Sequence, residues 1–148
     1  VLPLGEADEE RLSSAVDTAQ ARDVVNAKEN GYDSVLEQNG RNLSGGQKQR
    51  ISVARAIAKR PEVLILDDSS SALDNITDLK LRRAIKSLDY PVTTFIVSQR
   101  ASSVLGADKI IVMDEGEIVG IGTADELRKT CAVFREIEDS QSSSEARK

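Results

Sequence analysis

Leu43-Ser44-Gly45-Gly46-Gln47-Lys48-Gln49-Arg50 and, shortly downstream, Val63-Leu64-Ile65-Leu66-Asp67-Asp68 decide the fold of this chain. Ser44 followed three residues later by Gln47 is a capping box, in which each side chain satisfies a backbone N–H that the first helical turn leaves over. The helix it opens is predicted to run to about Arg60 and to stop at Pro61. Val63 to Leu66 is a continuous apolar run bounded by Pro61 and Asp67, and reads as a fully buried parallel strand. Asn75 is expected to cap a helix from Ile76 to about Leu88. Thr93 to Val97 reads as a second buried strand. Strand, helix, strand at this spacing is a βαβ unit with a right-handed crossover. The fold class is therefore α/β.

Working outward, Asp8 to Gln20 has Leu12, Val16 and Ala19 at helical spacing, with acids at its front that suit the positive end of a helix dipole. Ala21 to Ala27 is a second short helix. Asn30-Gly31 marks a turn, and Tyr32 to Asn42 is polar and irregular, broken at Gly40. Beyond Val97, Ala101 to Leu105 reads as a short helix. Lys109 to Met113 and Glu117 to Ile121 form a hairpin across Asp-Glu-Gly. Thr123 with Glu126 is a second capping box, opening a helix to about Ile137. The tail from Asp139 is Ser-rich and charged and is expected to fray, and residues 1–5 are a short apolar lead. The organisation is read as 1–60, 61–138 and a flexible 139–148. There is no internal repeat.

Composition removes whole classes of function. Of 148 residues, 39% are hydrophobic and 30% charged, the balance of a globular domain. Aromatics are 3%, so the core must be aliphatic. There is no His, which excludes imidazole acid–base catalysis and His-ligated metal within the chain. One cysteine, Cys131, excludes an internal disulfide and a Cys-cluster zinc site and is read as a small buried apolar residue. A net charge of −5 makes the chain as a whole no match for nucleic acid. No apolar run reaches the length that spans a bilayer, and there is no signal peptide. The chain starts with Val1 and reads as a segment of a longer protein.

Four places carry chemistry. Ser44-Gly45-Gly46-Gln47 opens a helix with two glycines in the first turn, where exposed N–H groups and the dipole favour an anion. Alone, it favours the reading of an ordinary capped helix. Asp67 and Asp68 end an apolar strand, at the sheet edge where open α/β folds bind ligands and where a carboxylate holds Mg²⁺ on a nucleotide. Alone, this is a strand with a polar end. Ser71-Ala72-Leu73-Asp74 and Val97-Ser98-Gln99-Arg100 alone read as loops. On the helix after Ser44, Ile51, Ala54, Ile57 and Ala58 are core. Lys48, Arg50, Arg55 and Lys59 form a solvated or interface face, with Arg50 and Arg55 open to pairing with acids of a partner domain.

Together and in this order, the four places resemble the ATP-binding cassette family on its exporter side. Leu43 to Arg50 matches the family's signature motif and the helix after it. Val63 to Asp67 matches the Walker B strand, Ser71 to Asp74 the D-loop, and Gln99 stands at the switch position, where the family usually has His. Ala107 to Met113, Glu115-Gly116 and Gly120 to Thr123 resemble the C-terminal part of exporter nucleotide-binding domains. The resemblance covers nearly the whole chain. It implies a partial P-loop NTPase core with parallel strands and flanking helices, plus part of the α-helical subdomain.

No G-x-x-x-x-G-K-[ST] occurs in the sequence. The resemblance places the P-loop, the adenine-stacking aromatic and the Q-loop upstream of Val1. The piece by itself is therefore expected to bind ATP poorly and, with open sheet edges, to self-associate. Two positions depart from the family pattern. The catalytic base after the Walker B Asp is usually Glu; here it is Asp68, one methylene shorter, about 1.5 Å of reach. Gln99 cannot carry charge or shuttle a proton. Both together resemble the degenerate-site subunit of heterodimeric multidrug exporters. One alternative is a slower but working site.

The resemblance further implies that two such domains meet head to tail, each signature helix pressing on the ATP held by the other. Ser44, Gly45, Gly46 and Gln47 would then serve the partner's ATP. Asp67 would hold Mg²⁺, and Asp74 would sit at the subunit junction. The parent would carry a transmembrane domain and work at the cytoplasmic face of the cell membrane, hydrolysing ATP to export a substrate. The alternatives are a homodimeric exporter with two slow sites, a soluble cassette ATPase outside transport, and a cassette that binds nucleotide without turning it over.

Overall fold

The computed structural model describes residues 9–69 and 71–145, in two compact units that divide after Val97. The lead at residues 1–5, Asp8, Ser70 and residues 146–148 lie outside the described residues. The division falls inside the 61–138 segment of the sequence reading. It keeps the signature helix and the Walker B strand in one unit.

The first unit is built on the parallel pair predicted from the two apolar runs. Strand β1 (Val63–Asp67) lies beside β2 (Thr93–Val97) in the register Val63 to Thr93 through Asp67 to Val97. Helix α4 (Asn75–Lys86) connects them; before it come α1 (Glu9–Thr18), α2 (Arg22–Asn26) and α3 (Gly45–Ile57). The core is aliphatic: Val16 and Ala19 beside α1, Val53, Ala54 and Ile57 of α3, Leu64 and Leu66 of β1, Leu81 and Ile85 of α4. Complete burial of a side chain such as Leu81 contributes about 1.5–3 kcal/mol.

Two expectations fail here for physical reasons. The strands are covered on one face, not two. Leu64 and Leu66 are buried, but Val63 and Ile65 are 53% and 66% exposed, as are Phe95 and Val97 at 54% and 55%. A continuous apolar run calls for cover on both faces, and no described residue covers the second face of this pair. The cap of α4 is Asp74, not Asn75: Asp74 Oδ1 accepts from the N–H groups of Ile76 and Thr77 at 3.0 and 2.9 Å. An ionised carboxylate at a helix N-terminus gains from the dipole, which a neutral Asn does not.

Helix α3 ends at Ile57, three residues short of expectation: the N–H groups of Lys59 and Arg60 donate to the carbonyls three residues back, and the chain turns left-handed at Arg60 (φ 48°) ahead of Pro61. The stretch 32–42 stays irregular except for 3₁₀ turns at Gly31–Asp33 and Gln38–Gly40. Arg50 does not wait for a partner domain. It donates to Asp23 Oδ1 at 2.7 Å and to the Gln20 carbonyl, tying α3 to the α1–α2 corner.

The second unit holds α5 (Ala101–Val104), the hairpin β3 (Ile110–Asp114) and β4 (Glu117–Gly122), α6 (Ala124–Thr130) and α7 (Ala132–Glu145). The hairpin turns at Glu115 and Gly116, both left-handed (φ 46° and 84°), the backbone a two-residue turn between twisted strands requires. The helix expected from Thr123 to Ile137 is broken at Cys131, whose extended backbone separates α6 from α7. Cys131 itself is buried beside Ile110, Val112, Leu127 and Phe134. Helix α7 carries on through the Ser-rich stretch to Glu145. Among the described residues no helix is long and apolar enough to cross a membrane.

Candidate functional site

The capping box at α3 forms as read. Ser44 Oγ accepts from the Gln47 N–H at 3.3 Å, and Gln47 Oε1 accepts from the Ser44 N–H at 2.9 Å. The Gln47 N–H is thereby occupied. The N–H groups of Gly45 and Gly46 have no acceptor within the helix, and the first turn carries no acid. The donors this end offers an anion are these two N–H groups and the Ser44 hydroxyl, with the helix dipole behind them.

The glycines have different reasons to be there. A Cβ on Gly46 would stand 2.9 Å from the Ala72 carbonyl oxygen, so Gly46 is required for the close packing of α3 on the Ala72–Asp74 segment. A Cβ on Gly45 would meet only the Ala72 methyl, at ordinary contact distance. Leu73 anchors this contact from the buried side. The outcome is a groove of about 590 Å³ whose lining includes Ser44, Gly45, Gly46, Gln47, Asp74 and Thr77. Two motifs separated by more than twenty residues thus share one surface.

Asp74 faces that groove as a fully engaged carboxylate. Oδ2 accepts from the Thr77 hydroxyl at 2.7 Å while Oδ1 takes the two helix N–H groups. The Thr77 hydroxyl first, then the Thr77 and Ile76 N–H groups, hold it below its ordinary value of 3.8. It is therefore ionised at neutral pH and committed to the cap.

Asp67 and Asp68 stand exposed at the C-terminal end of β1, as expected. Asp68 is left-handed (φ 45°), an uncommon state for a residue with a Cβ. Its N–H donates to the Val97 carbonyl at 3.0 Å. Among the described residues no cluster of three or more acidic or sulfur side chains could cage a metal. The donor set fits Mg²⁺ all the same, which characteristically takes one or two carboxylates and completes its shell with phosphate oxygens and water.

Gln99 belongs to the second unit and is exposed there. Its carbonyl accepts from Gln141 Nε2 at 2.7 Å, and Gln141 Oε1 accepts from the Ala101 N–H at 2.8 Å. One α7 side chain therefore pins the switch-position segment and serves the start of α5. Nothing in the sequence pointed to Gln141, which lies in the stretch expected to fray. Gln49 is the other residue the reading passed over as chemistry. It sits inside the quoted motif, and its carboxamide bonds Asp68, Ser71 and Ala72.

Known proteins resemble this chain over most of its length. The family described as "ABC transporter" matches residues 4–71. The uncharacterized ABC transporter ATP-binding protein YfiB of Bacillus subtilis (strain 168) is 43% identical over 132 residues, 89% of this chain and 23% of that protein. The β-(1→2)glucan export ATP-binding/permease protein NdvA of Brucella melitensis is 40% identical over 131 residues, covering 88% of this chain and 22% of that one. The ATP-dependent lipid A-core flippase of Chromohalobacter salexigens is 42% identical over 122 residues, 82% and 21% respectively. The chain thus spans between a fifth and a quarter of these relatives. The structure of a bacterial Atm1-family ABC exporter with ATP bound superposes with a TM-score of 0.85 at 29% identity, over 93% of this chain and 24% of that one. With its ordered motifs, its parallel sheet and these relatives, the chain belongs to the ATP-binding cassette family and carries part of an exporter-type nucleotide-binding domain.

Proposed function

We propose that this chain acts within an exporter by presenting the N-terminus of α3 to ATP bound by a second nucleotide-binding domain, while its own Walker B end turns ATP over slowly. The observation that supports this most is the groove in which the capped start of α3 and Asp74 share one face. Gly45 and Gly46 N–H groups and the Ser44 hydroxyl would bind the terminal phosphate of the partner's nucleotide and stabilise the charge that develops as its bond to the leaving group breaks. Gln47, spent on the cap, orients Ser44. Asp74 would hold the start of α4 at the junction between the two domains.

At the chain's own site, Asp67 would hold Mg²⁺ on bound ATP, and the ion would neutralise phosphate charge. Asp68 would orient or deprotonate the attacking water, with a side chain shorter than the usual Glu. Gln99 at the switch position can accept and donate hydrogen bonds but cannot take up a proton at neutral pH. Both features favour a degenerate site in a heterodimer over two equal ones. The parent would carry a transmembrane domain, sit at the cytoplasmic face of the membrane, and couple ATP-driven closure of the two domains to export of its substrate.

The test is steady-state ATPase of the full-length parent assembly, wild type against Asp68→Asn. Most of the activity is expected to survive. A fall on the order of a hundredfold, the scale of a lost general base, would make Asp68 the working base and overturn the degenerate-site reading.

A further inference from the structure

Gln49 lies one turn along α3 from the glycines, and its carboxamide leaves the helix for the chain that follows β1. Nε2 donates to the Asp68 carbonyl at 3.2 Å and to Ser71 Oγ at 2.8 Å, and Oε1 accepts from the Ala72 N–H at 3.0 Å. Ser71 Oγ in turn donates to the Asp68 carbonyl at 3.0 Å. A Gln amide has two N–H donors and one carbonyl oxygen, and Gln49 uses all three functions here. Few other side chains can make this set of bonds.

The residue being held has an unusual backbone. Asp68 is left-handed, a state that favours glycine, that Asp enters more readily than most residues with a Cβ, and that persists where the surroundings hold it. Its N–H is fixed by β2 and its carbonyl by Gln49 and Ser71. The Gln49 bonds lie at the surface, where each adds little to folding. Their consequence is geometric, because they connect the groove-facing helix to the backbone of Asp68, just past the end of β1.

From this geometry we infer that Gln49 is a positioning residue, locking Asp68 and Ala72 to α3 so that the helix end offered to one ATP and the carboxylates offered to another move as one body. This rests on the function proposed above. Through it, a shift of α3 when phosphate engages Gly45 and Gly46 would reach Asp68 without passing through the core.

The experiment uses the full-length parent assembly with Gln49→Met, which keeps length but makes no such bonds, and Gln49→Glu, which keeps an acceptor for the Ala72 N–H. Gln49→Met is expected to lower kcat by about fivefold to tenfold, the scale of one or two lost hydrogen bonds, through the loosened tie between α3 and Ala72 beside the helix end offered to the partner's ATP, with KM for ATP and the melting temperature unchanged. Gln49→Glu should fall between it and wild type. Amide exchange at Ala72 should speed up by about the same factor in Gln49→Met and stay near wild type in Gln49→Glu. Wild-type kcat in Gln49→Met, a loss confined to KM, or unchanged exchange at Ala72 would each overturn the inference. Ser44→Ala run beside them separates the two claims. If Ser44→Ala is silent while Gln49→Met lowers kcat, the signature-helix role fails and the degenerate-site reading fails with it, because the loss then runs through Asp68, whose positioning stands. If only Ser44→Ala lowers kcat, positioning fails alone.

Discussion

Helices α3 and α6 begin with the same device and serve different ends. Ser44 with Gln47 and Thr123 with Glu126 are both complete capping boxes, and local physics stabilises both alike. The difference lies in charge and in what packs alongside. Asp125 and Glu126 put two acids in the first turn of α6, which neutralise the dipole and repel an anion, whereas the first turn of α3 has none. Gly46 is pressed against the backbone of the Ala72–Asp74 segment, whereas Gly122, just before α6, is pressed against the Glu126 side chain. One helix start is an open donor surface beside a second motif; the other is closed on itself. A capping box alone is thus a fold signal, and the uncharged first turn with its glycines makes a candidate anion site of it.

The sharpest way to break the contrast is to fill the contact at Gly46. Gly46→Ala puts a methyl against the Ala72 carbonyl oxygen, which is backbone and cannot swing away. ATPase of the parent assembly is expected to fall by about a hundredfold, the scale of a misplaced group in a reacting geometry. Gly122→Ala crowds the Glu126 side chain that caps α6, away from the groove, and should leave ATPase within about twofold of wild type even where it weakens that cap. Equal losses in both would show that the groove at α3 has no special standing.

The next test gives α3 the charge of α6. Gln47→Glu preserves the cap, and a carboxylate at N3 should hold or slightly raise the melting temperature. The same charge faces the phosphate and is expected to lower ATPase by about tenfold, the scale of 1–2 kcal/mol of unfavourable charge at a helix end. Activity at wild-type level would remove the anion from the start of α3. The reverse change, Glu126→Gln, should leave ATPase untouched.

The smallest effect is one of stability and pH. The Thr123 N–H, then its hydroxyl, hold Glu126 below its ordinary value of 4.5. A carboxylate depressed in the folded state stabilises fully above its unfolded value and loses that contribution as the pH falls through its folded value. The contributions of Glu126 and, beside the groove, Asp74 should therefore persist at neutral pH and disappear below about pH 4. Thr123→Ala is expected to cost about 1 kcal/mol at pH 7 and less at pH 3. Thermal melts at the two pH values check this, and an equal cost at both would show that the ionised Glu126 draws nothing from the Thr123 hydroxyl.

Much of this architecture was readable from residue order. Both capping boxes, the parallel pairing of the Val63 and Thr93 runs, and the hairpin across Glu115-Gly116 depend on neighbours within a few residues or on strand-length apolar runs. The boundary errors follow the same logic. Asp74 displaced Asn75 as cap by a one-residue difference in charge, and the break at Cys131 comes where its thiol is buried in the core of the second unit. The roles of Gln49 and Gln141 stayed hidden because a glutamine in a helix looks the same whether it faces water or a loop twenty to forty residues away.

By itself, then, the sequence determined the element types, the family and the short-range caps, since these arise from the local competition of backbone N–H groups, dipoles and apolar periodicity. Tertiary structure alone decided that α3 packs on the Ala72–Asp74 segment, that Arg50 is bound to Asp23, that the β1–β2 pair is covered on one face, and that Gln49 holds a left-handed Asp68. Each depends on contacts between segments distant in the chain, and which partner a side chain finds there is set by how the helices pack against the sheet, not by the residues on either side of it.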